Sequence, residues 1–260
     1  MAARVQPLPL RSFKLVLLAG VAALALSACA TNRTTTSAPD FSGQSLEQSQ
    51  SSLTDLSARY KANPKDKGTM LYFAAALRAA GQSEQAVSVL ENGMATYPKD
   101  LSIHVAYAKA LSSAGRFAQA MNVIDESINP ADPDWNALLV KGVILDQSGR
   151  NADARAIYTQ ALLIAPGEAS LEANVGLSYA MGNDLVQAEA HLQKATQMRG
   201  ATSQIRQNLA LVICLQGRFD ECRAMYAKEL PPDQVESNMS YVRALLTQQN
   251  RWDLIKGDQG

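Results

Sequence analysis

Apolar and small positions recur along this 260-residue chain with a period of 34. Gly81, Gly115, Gly149, Asn183 and Gly217 form one column. Ala86, Ala120, Ala154, Ala188 and Cys222 form a second, and Ala74, Ala108, Gly142, Gly176 and Ala210 a third. Large residues keep the same register, in Leu77, Leu111, Leu145, Tyr179, Ile213 and in Leu90, Ile124, Tyr158, Leu192, Tyr226. Between these columns apolar residues return every three or four positions, the spacing of a helix with one buried stripe. Each unit therefore predicts two helices joined by a tight turn at the glycine, where a positive φ costs glycine little. The small residues mark where the two helices approach, and the large ones fill the space beside that contact. Pro98 and Pro166 follow the second helix, where proline can end it.

Five units are expected over 67–100, 101–134, 135–168, 169–202 and 203–236. Ser45–Lys61 carries Leu46, Leu53, Leu56 and Tyr60 on one side and reads as the second helix of an incomplete unit within 45–66. After Pro231-Pro232, the residues Val235, Met239, Val242, Leu245 and Leu246 predict a helix that caps the stack, with 237–260 as cap and tail. Two irregularities stand out. Lys141 interrupts the first-helix column Phe73, Tyr107, Val175, Leu209, and the unit-ending proline is replaced by Asp132 and Gly200. Those junctions are expected to be angled differently.

The first 28 residues follow another rule. Arg4, Arg11 and Lys14 precede an apolar run from Leu15 to Leu26, then Ser27-Ala28-Cys29. A basic start, a short apolar run and small residues before a cut predict a secretory signal. The run is short for a membrane span, which needs about 20 apolar residues. Residues 29–44 are small and polar and read as a flexible tether. Removing residues 1–28 leaves 21 basic against 24 acidic side chains. That balance argues against a nucleic-acid binder, which needs a basic surface.

Candidate chemistry is sparse. His104 and His191 stand apart in the sequence, and neither has an acid or nucleophile at catalytic spacing. Gly-rich phosphate loops and zinc-protease motifs are missing from the sequence. No enzyme, cofactor or metal is expected. Cys214 and Cys222 lie in the fifth unit, and Cys222 fills a small packing slot as a buried thiol. A disulfide between them is possible but not favoured by the expected hairpin register. The functional surface should be the concave face built from first helices, with Leu139, Val143, Asp146, Leu177, Met181, Gln207, Leu211 and Leu215 as the groove that takes a partner. An apolar groove with a few amides suits an amphipathic helix or an extended segment.

The 34-residue columns resemble the tetratricopeptide repeat, which implies an all-α, right-handed superhelical solenoid that binds other proteins. Leu26-Ser27-Ala28-Cys29 resembles a bacterial lipobox. That resemblance implies lipid on Cys29, and Ala30 at the next position implies the outer membrane, facing the periplasm. The stretches Val140–Gly149, Asn174–Ala180, Arg206–Val212 and Leu215–Phe219 are similar to the TadD family, the repeat lipoproteins of the tight-adherence (Flp) pilus assembly system. The resemblance implies a scaffold or pilotin, with the secretin or another pilus-channel component as partner. A scaffold in another envelope machine, for outer-membrane protein assembly or peptidoglycan-enzyme recruitment, is the competing expectation.

Overall fold

The computed structural model describes residues 46–257, with side chains described for 50–247. The expected signal sequence, Cys29 and the expected tether lie outside the described residues. Twelve helices and no strands make up the described residues. They are α1 (Leu46–Ala62), α2 (Lys67–Ala79), α3 (Ser83–Thr96), α4 (Leu101–Ser113), α5 (Phe117–Ser127) and α6 (Trp135–Gln147). They continue with α7 (Asn151–Ile164), α8 (Ala169–Met181), α9 (Leu185–Gln197), α10 (Ser203–Leu215), α11 (Phe219–Glu229) and α12 (Pro232–Gly257). Each helix packs mainly on its chain neighbours, and each first helix also touches the first helix of the next unit. The result is an all-α stack of helix pairs, the architecture expected of the repeat.

The turns confirm the register. Gly81, Gly115, Gly149 and Gly217 have φ between 75° and 82°, and Asn183, which stands in for glycine, has φ 63°. Asparagine is among the few side chains that visit this region routinely. The close approach is tightest in the third unit. A Cβ on Gly142 would lie closer than 3.0 Å to three carbons of the Tyr158 ring, so the ring lies directly against the glycine. Gly176 is similarly confined by Leu192, at 2.8 Å. Ala154, Tyr158, Ala188 and Leu192 are completely buried.

A further column governs where first helices begin. Asp66, Asp100, Asp134 and Thr202 each cap the N-terminus of α2, α4, α6 and α10 by accepting from backbone N–H groups of the first turn. Glu168 holds the same place before α8 and makes no side-chain cap. Asp100 also accepts from Nζ of Lys67, one unit earlier, at 2.6 Å. Burial works against its charge, but the bonds from Lys67, Ser102 and Ile103 prevail and hold the carboxyl at about 2.

The irregular positions have local explanations. Lys141 lays its stem in the large-residue column and sends Nζ to Asp125 of α5, at 2.7 Å. The chain leaves α5 at Ser127 and threads Pro130 and Pro133 before α6, so this junction has a longer connection than its neighbours. The cap helix α12 begins at Pro232, inside the segment assigned to the fifth unit. Proline suits a first helical turn because its missing N–H has no partner there. Val235, Met239 and Val242 of α12 are buried against the last unit.

Candidate functional site: the first-helix face of units three to five

The expected groove residues separate into two groups. Met181, Gln207 and Leu215 are half-exposed, at the ends of α8 and α10 and along the side of α10. Leu139, Val143, Asp146, Leu177 and Leu211 are exposed by only 1%, 6%, 4%, 2% and 3%. These five were expected to offer contact surface, and the structure corrects that. Leu139 and Val143 of α6 share a cluster with Leu171 and Val175 of α8. Leu211 shares one with Ala173 and Leu209. First helices of successive units lie side by side, and these side chains fill the seam between them. An Asp at Leu177 or Leu211 would therefore bury an unpaired charge and damage the fold.

Asp146 is the most constrained of the eight. Its Oδ1 accepts from Nδ2 of Asn151 at 2.7 Å and from Oγ of Ser178 at 2.7 Å, and its Oδ2 accepts from the Tyr158 hydroxyl at 2.9 Å. The carboxyl thus joins α6 and α7 of the third unit to α8 of the fourth. Burial pushes its pKa up to about 6, against the opposing pull of the hydrogen bonds from Asn151, Ser178 and Tyr158 and the charge of Arg155. Arg155 stands over the ring of Tyr179 at 4.5 Å and donates weakly to Ser178. The other face of this junction carries His191, stacked on Tyr179 with centroids 5.3 Å apart. Its Nδ1 lies 2.6 Å from buried Glu172, which also pairs with Lys194 at 3.0 Å. His191 is thus tied into an ion-pair cluster that joins α9 to α8. His104 turns Nδ1 to the carbonyl of Asp100, four residues back, at 2.9 Å.

Cys214 and Cys222 are joined as a disulfide, with Cα atoms 5.2 Å apart. This corrects the expectation of a free buried thiol. The expected hairpin pairs Cys214 with residues nearer Phe219 than Cys222, but α10 ends at Leu215 and α11 starts at Phe219, so the short turn brings position 222 back beside 214. Both sulfurs lie 3.8 Å from Sδ of Met239 on the cap helix. The bridge and Met239 together tie the last full unit to its cap. Among the described residues no group of three or more His, Cys, Asp and Glu is arranged to hold a metal ion. Among the same residues no helix is long and apolar enough to cross a membrane.

The comparisons agree with this geometry. The tetratricopeptide-repeat family pattern matches residues 77–142. A tetratricopeptide-repeat protein of Thermus thermophilus superposes with a TM-score of 0.60 at 22% identity, over 67% of this chain and 97% of that one. A tetratricopeptide-repeat protein of Parabacteroides merdae gives 0.65 at 12% identity, over 76% and 78%. PilW, a widely conserved type IV pilus biogenesis factor, gives 0.54 at 17% identity, over 77% and 91%. No curated protein matches the sequence. At these identities the likeness is one of fold, and it defines the class. The chain is an all-α tetratricopeptide-repeat solenoid.

Proposed function

We propose that this protein is a lipid-anchored scaffold or pilotin of a Tad/Flp-type pilus assembly machine, held by Cys29 at the outer membrane and facing the periplasm. The observation that carries the scaffold reading is the continuous stack of first helices, whose edge is open to solvent at Met181, Gln204, Gln207 and Leu215. These are apolar and amide groups, which recognise a protein segment by excluding water and by neutral hydrogen bonds. The pilus assignment rests on the TadD-like stretches, and PilW adds a fold relative described as a pilus biogenesis factor. Export is supported by the basic, apolar and Leu-Ser-Ala-Cys order of residues 1–29. The Cys214–Cys222 bridge suits an oxidising compartment such as the periplasm. A lipid anchor follows simple physics. Each buried CH₂ contributes about 0.8 kcal/mol, and a single acyl chain gives only marginal binding. The three chains of a mature lipoprotein would hold the solenoid firmly.

The test has two parts. Cys29→Ala should move the protein to the soluble periplasmic fraction or leave an uncleaved precursor, while the helical circular dichroism stays unchanged. Intact-mass analysis showing unmodified Cys29 on membrane-bound wild type would overturn the anchor. Crosslinking from Gln207 or Leu215 in cells should capture the pilus secretin or another channel component. Capture of that component from Leu163, which is on a second helix and 81% exposed, but not from Gln207 or Leu215, would overturn the groove.

A further inference from the structure

The loops that lead from each second helix to the next first helix lie on one edge of the stack, opposite the glycine turns. The first two of these loops are basic. Pro64-Lys65-Asp66 leads from α1 to α2, and Pro98-Lys99-Asp100 leads from α3 to α4 one period later. Two bonds fasten them side by side. The Tyr97 hydroxyl donates to the carbonyl of Lys65 at 2.5 Å, and Nζ of Lys67 donates to Asp100 at 2.6 Å. Lys61, in the last turn of α1, stands on the same edge. Lys61, Lys65 and Lys99 are all exposed.

The acids of this region are already engaged. Asp66 caps α2, and Asp100 caps α4 while holding Lys67. Asp55 pairs with Arg59 along α1 at 3.8 Å. Among the described residues no acid pairs with Lys61, Lys65 or Lys99. Farther along the edge the pattern stops. Pro133, Gly167 and Ala201 continue the column of Lys65 and Lys99. The loops around them carry Asp132, Asp134 and Glu168, with Arg199 as their one cation. The cationic rim is therefore confined to the end where the chain enters the solenoid from residues 29–44. We infer that this rim rests on a membrane surface, with Lys61, Lys65 and Lys99 against the phosphates of anionic phospholipid headgroups.

This inference rests on the anchor proposed above and adds an orientation to it. Residues 29–44 join α1 at its N-terminus, about 25 Å of helix away from Lys61. Fully drawn out, those residues reach at most about 55 Å, so the rim can come down to the bilayer while Cys29 stays in it. Tethering keeps rim and surface at a high effective concentration, so weak contacts suffice. Each lysine near an anionic surface contributes a factor of about five, so three give roughly a hundredfold preference for the rim-down orientation. The attraction extends about 10 Å at 0.1 M salt and only about 3 Å at 1 M. An acidic protein segment would draw on the same charges, but the bilayer is the anionic surface that the anchor holds permanently within reach.

The test uses the protein purified from membranes and reconstituted on vesicles of phosphatidylcholine, with or without phosphatidylglycerol. A fluorescent non-canonical side chain is placed at Ala62, on the rim, or at Gln82, in the α2–α3 turn on the opposite edge, both exposed. Energy transfer to an acceptor on the headgroups reports which edge is down. With phosphatidylglycerol, transfer from position 62 should exceed transfer from position 82, and the excess should vanish in about 1 M salt, where screening is nearly complete. Lys61→Gln, Lys65→Gln and Lys99→Gln together should lower transfer from position 62 to its phosphatidylcholine level. Arg199→Gln, Lys228→Gln and Arg243→Gln remove the same charge from exposed positions at the other end and should leave it unchanged. Circular dichroism checks that both triple variants stay helical. Transfer from position 62 that ignores phosphatidylglycerol, survives the rim triple or falls equally in the control triple overturns the inference, whatever acidic protein the lysines then bind. Intact mass keeps the two readings apart. The expected transfer pattern with no lipid on Cys29 overturns the anchor and leaves the rim. Lipid on Cys29 with no difference between vesicles overturns the rim and leaves the anchor. A protein that leaves the vesicles altogether overturns both.

Discussion

Asp146→Asn is the most informative single change. In the folded chain the carboxyl titrates at about 6, raised by burial, against an ordinary value of 3.8 in the unfolded chain. The folded state therefore binds the proton more tightly. The contribution of this carboxyl to stability is greatest below about pH 4, falls as pH rises through the window from 4 to 6, and is level above it. A shift of roughly two pH units corresponds to about 3 kcal/mol at 1.36 kcal/mol per unit. Asparagine has the shape of the protonated form. Its Oδ1 can keep the bonds from Asn151 and Ser178, and its Nδ2 can donate to the Tyr158 hydroxyl, which then turns from donor to acceptor. At pH 7.5 the variant should melt several degrees higher than wild type, since about 1 kcal/mol moves a chain of this size by roughly 2–4 °C. At pH 4 the two should melt together. The assay is a pair of thermal scans by circular dichroism from pH 4 to 8, read as the difference between the two proteins so that other carboxylates cancel. A difference that does not change with pH, or a variant less stable at pH 7.5, would refute the reasoning.

Further expectations concern packing and covalent ties. Gly142→Ala drives a Cβ into the Tyr158 ring and should destabilise the chain by about 1–3 kcal/mol, with adding Tyr158→Leu restoring part of it in a double-mutant melt. Reducing Cys214–Cys222 should lower the melting temperature, with hydrogen exchange rising first in α10, α11 and α12. Thiol titration of the denatured chain, purified without reductant, should find neither of these two sulfurs free. Lys67→Met leaves the Asp100 cap without its cation, so the Asp100 carboxyl should titrate closer to its ordinary 3.8 in an NMR pH series.

Much of the fold was legible because a repeat states its contacts several times over. The columns marked Gly142 and Ala154 as the close approach with Tyr158 filling the space beside it, and the structure sets the Tyr158 ring directly against Gly142; the positive φ of Asn183 followed from its place in the glycine column. The Asp66, Asp100, Asp134 cap column is equally regular and was available from spacing, as a side-chain acceptor just before each first helix. The groove was less legible. Whether Leu139, Val143 or Leu211 faces solvent depends on how far each unit rotates against the next, and that rotation arises from contacts between units. Hydrophobicity at a first-helix position is the same whether the side chain fills a seam or lines an open surface. Asp146 looked like a polar groove residue because its partners, Tyr158 and Ser178, lie 12 and 32 residues away. The disulfide was considered and not favoured because an idealised hairpin pairs residues by count from the turn, whereas the bridge depends on where each helix actually ends.

The Cys214–Cys222 bridge has a mechanical consequence. A stack whose units touch mainly their neighbours can be peeled from one end, each 34-residue unit releasing on the order of 120 Å of chain when drawn out. The bridge lies at the C-terminal end of the stack and short-circuits the turn between α10 and α11, so that turn cannot be drawn open while the sulfurs stay joined. With Met239 packed on the bridge, the last hairpin and its cap form the stiffest link of an otherwise extensible rod. Under tension between its two ends, the protein should lengthen in steps that begin at the α1–α3 end, and an optical trap would record the shortest release when the bridged unit finally gives way.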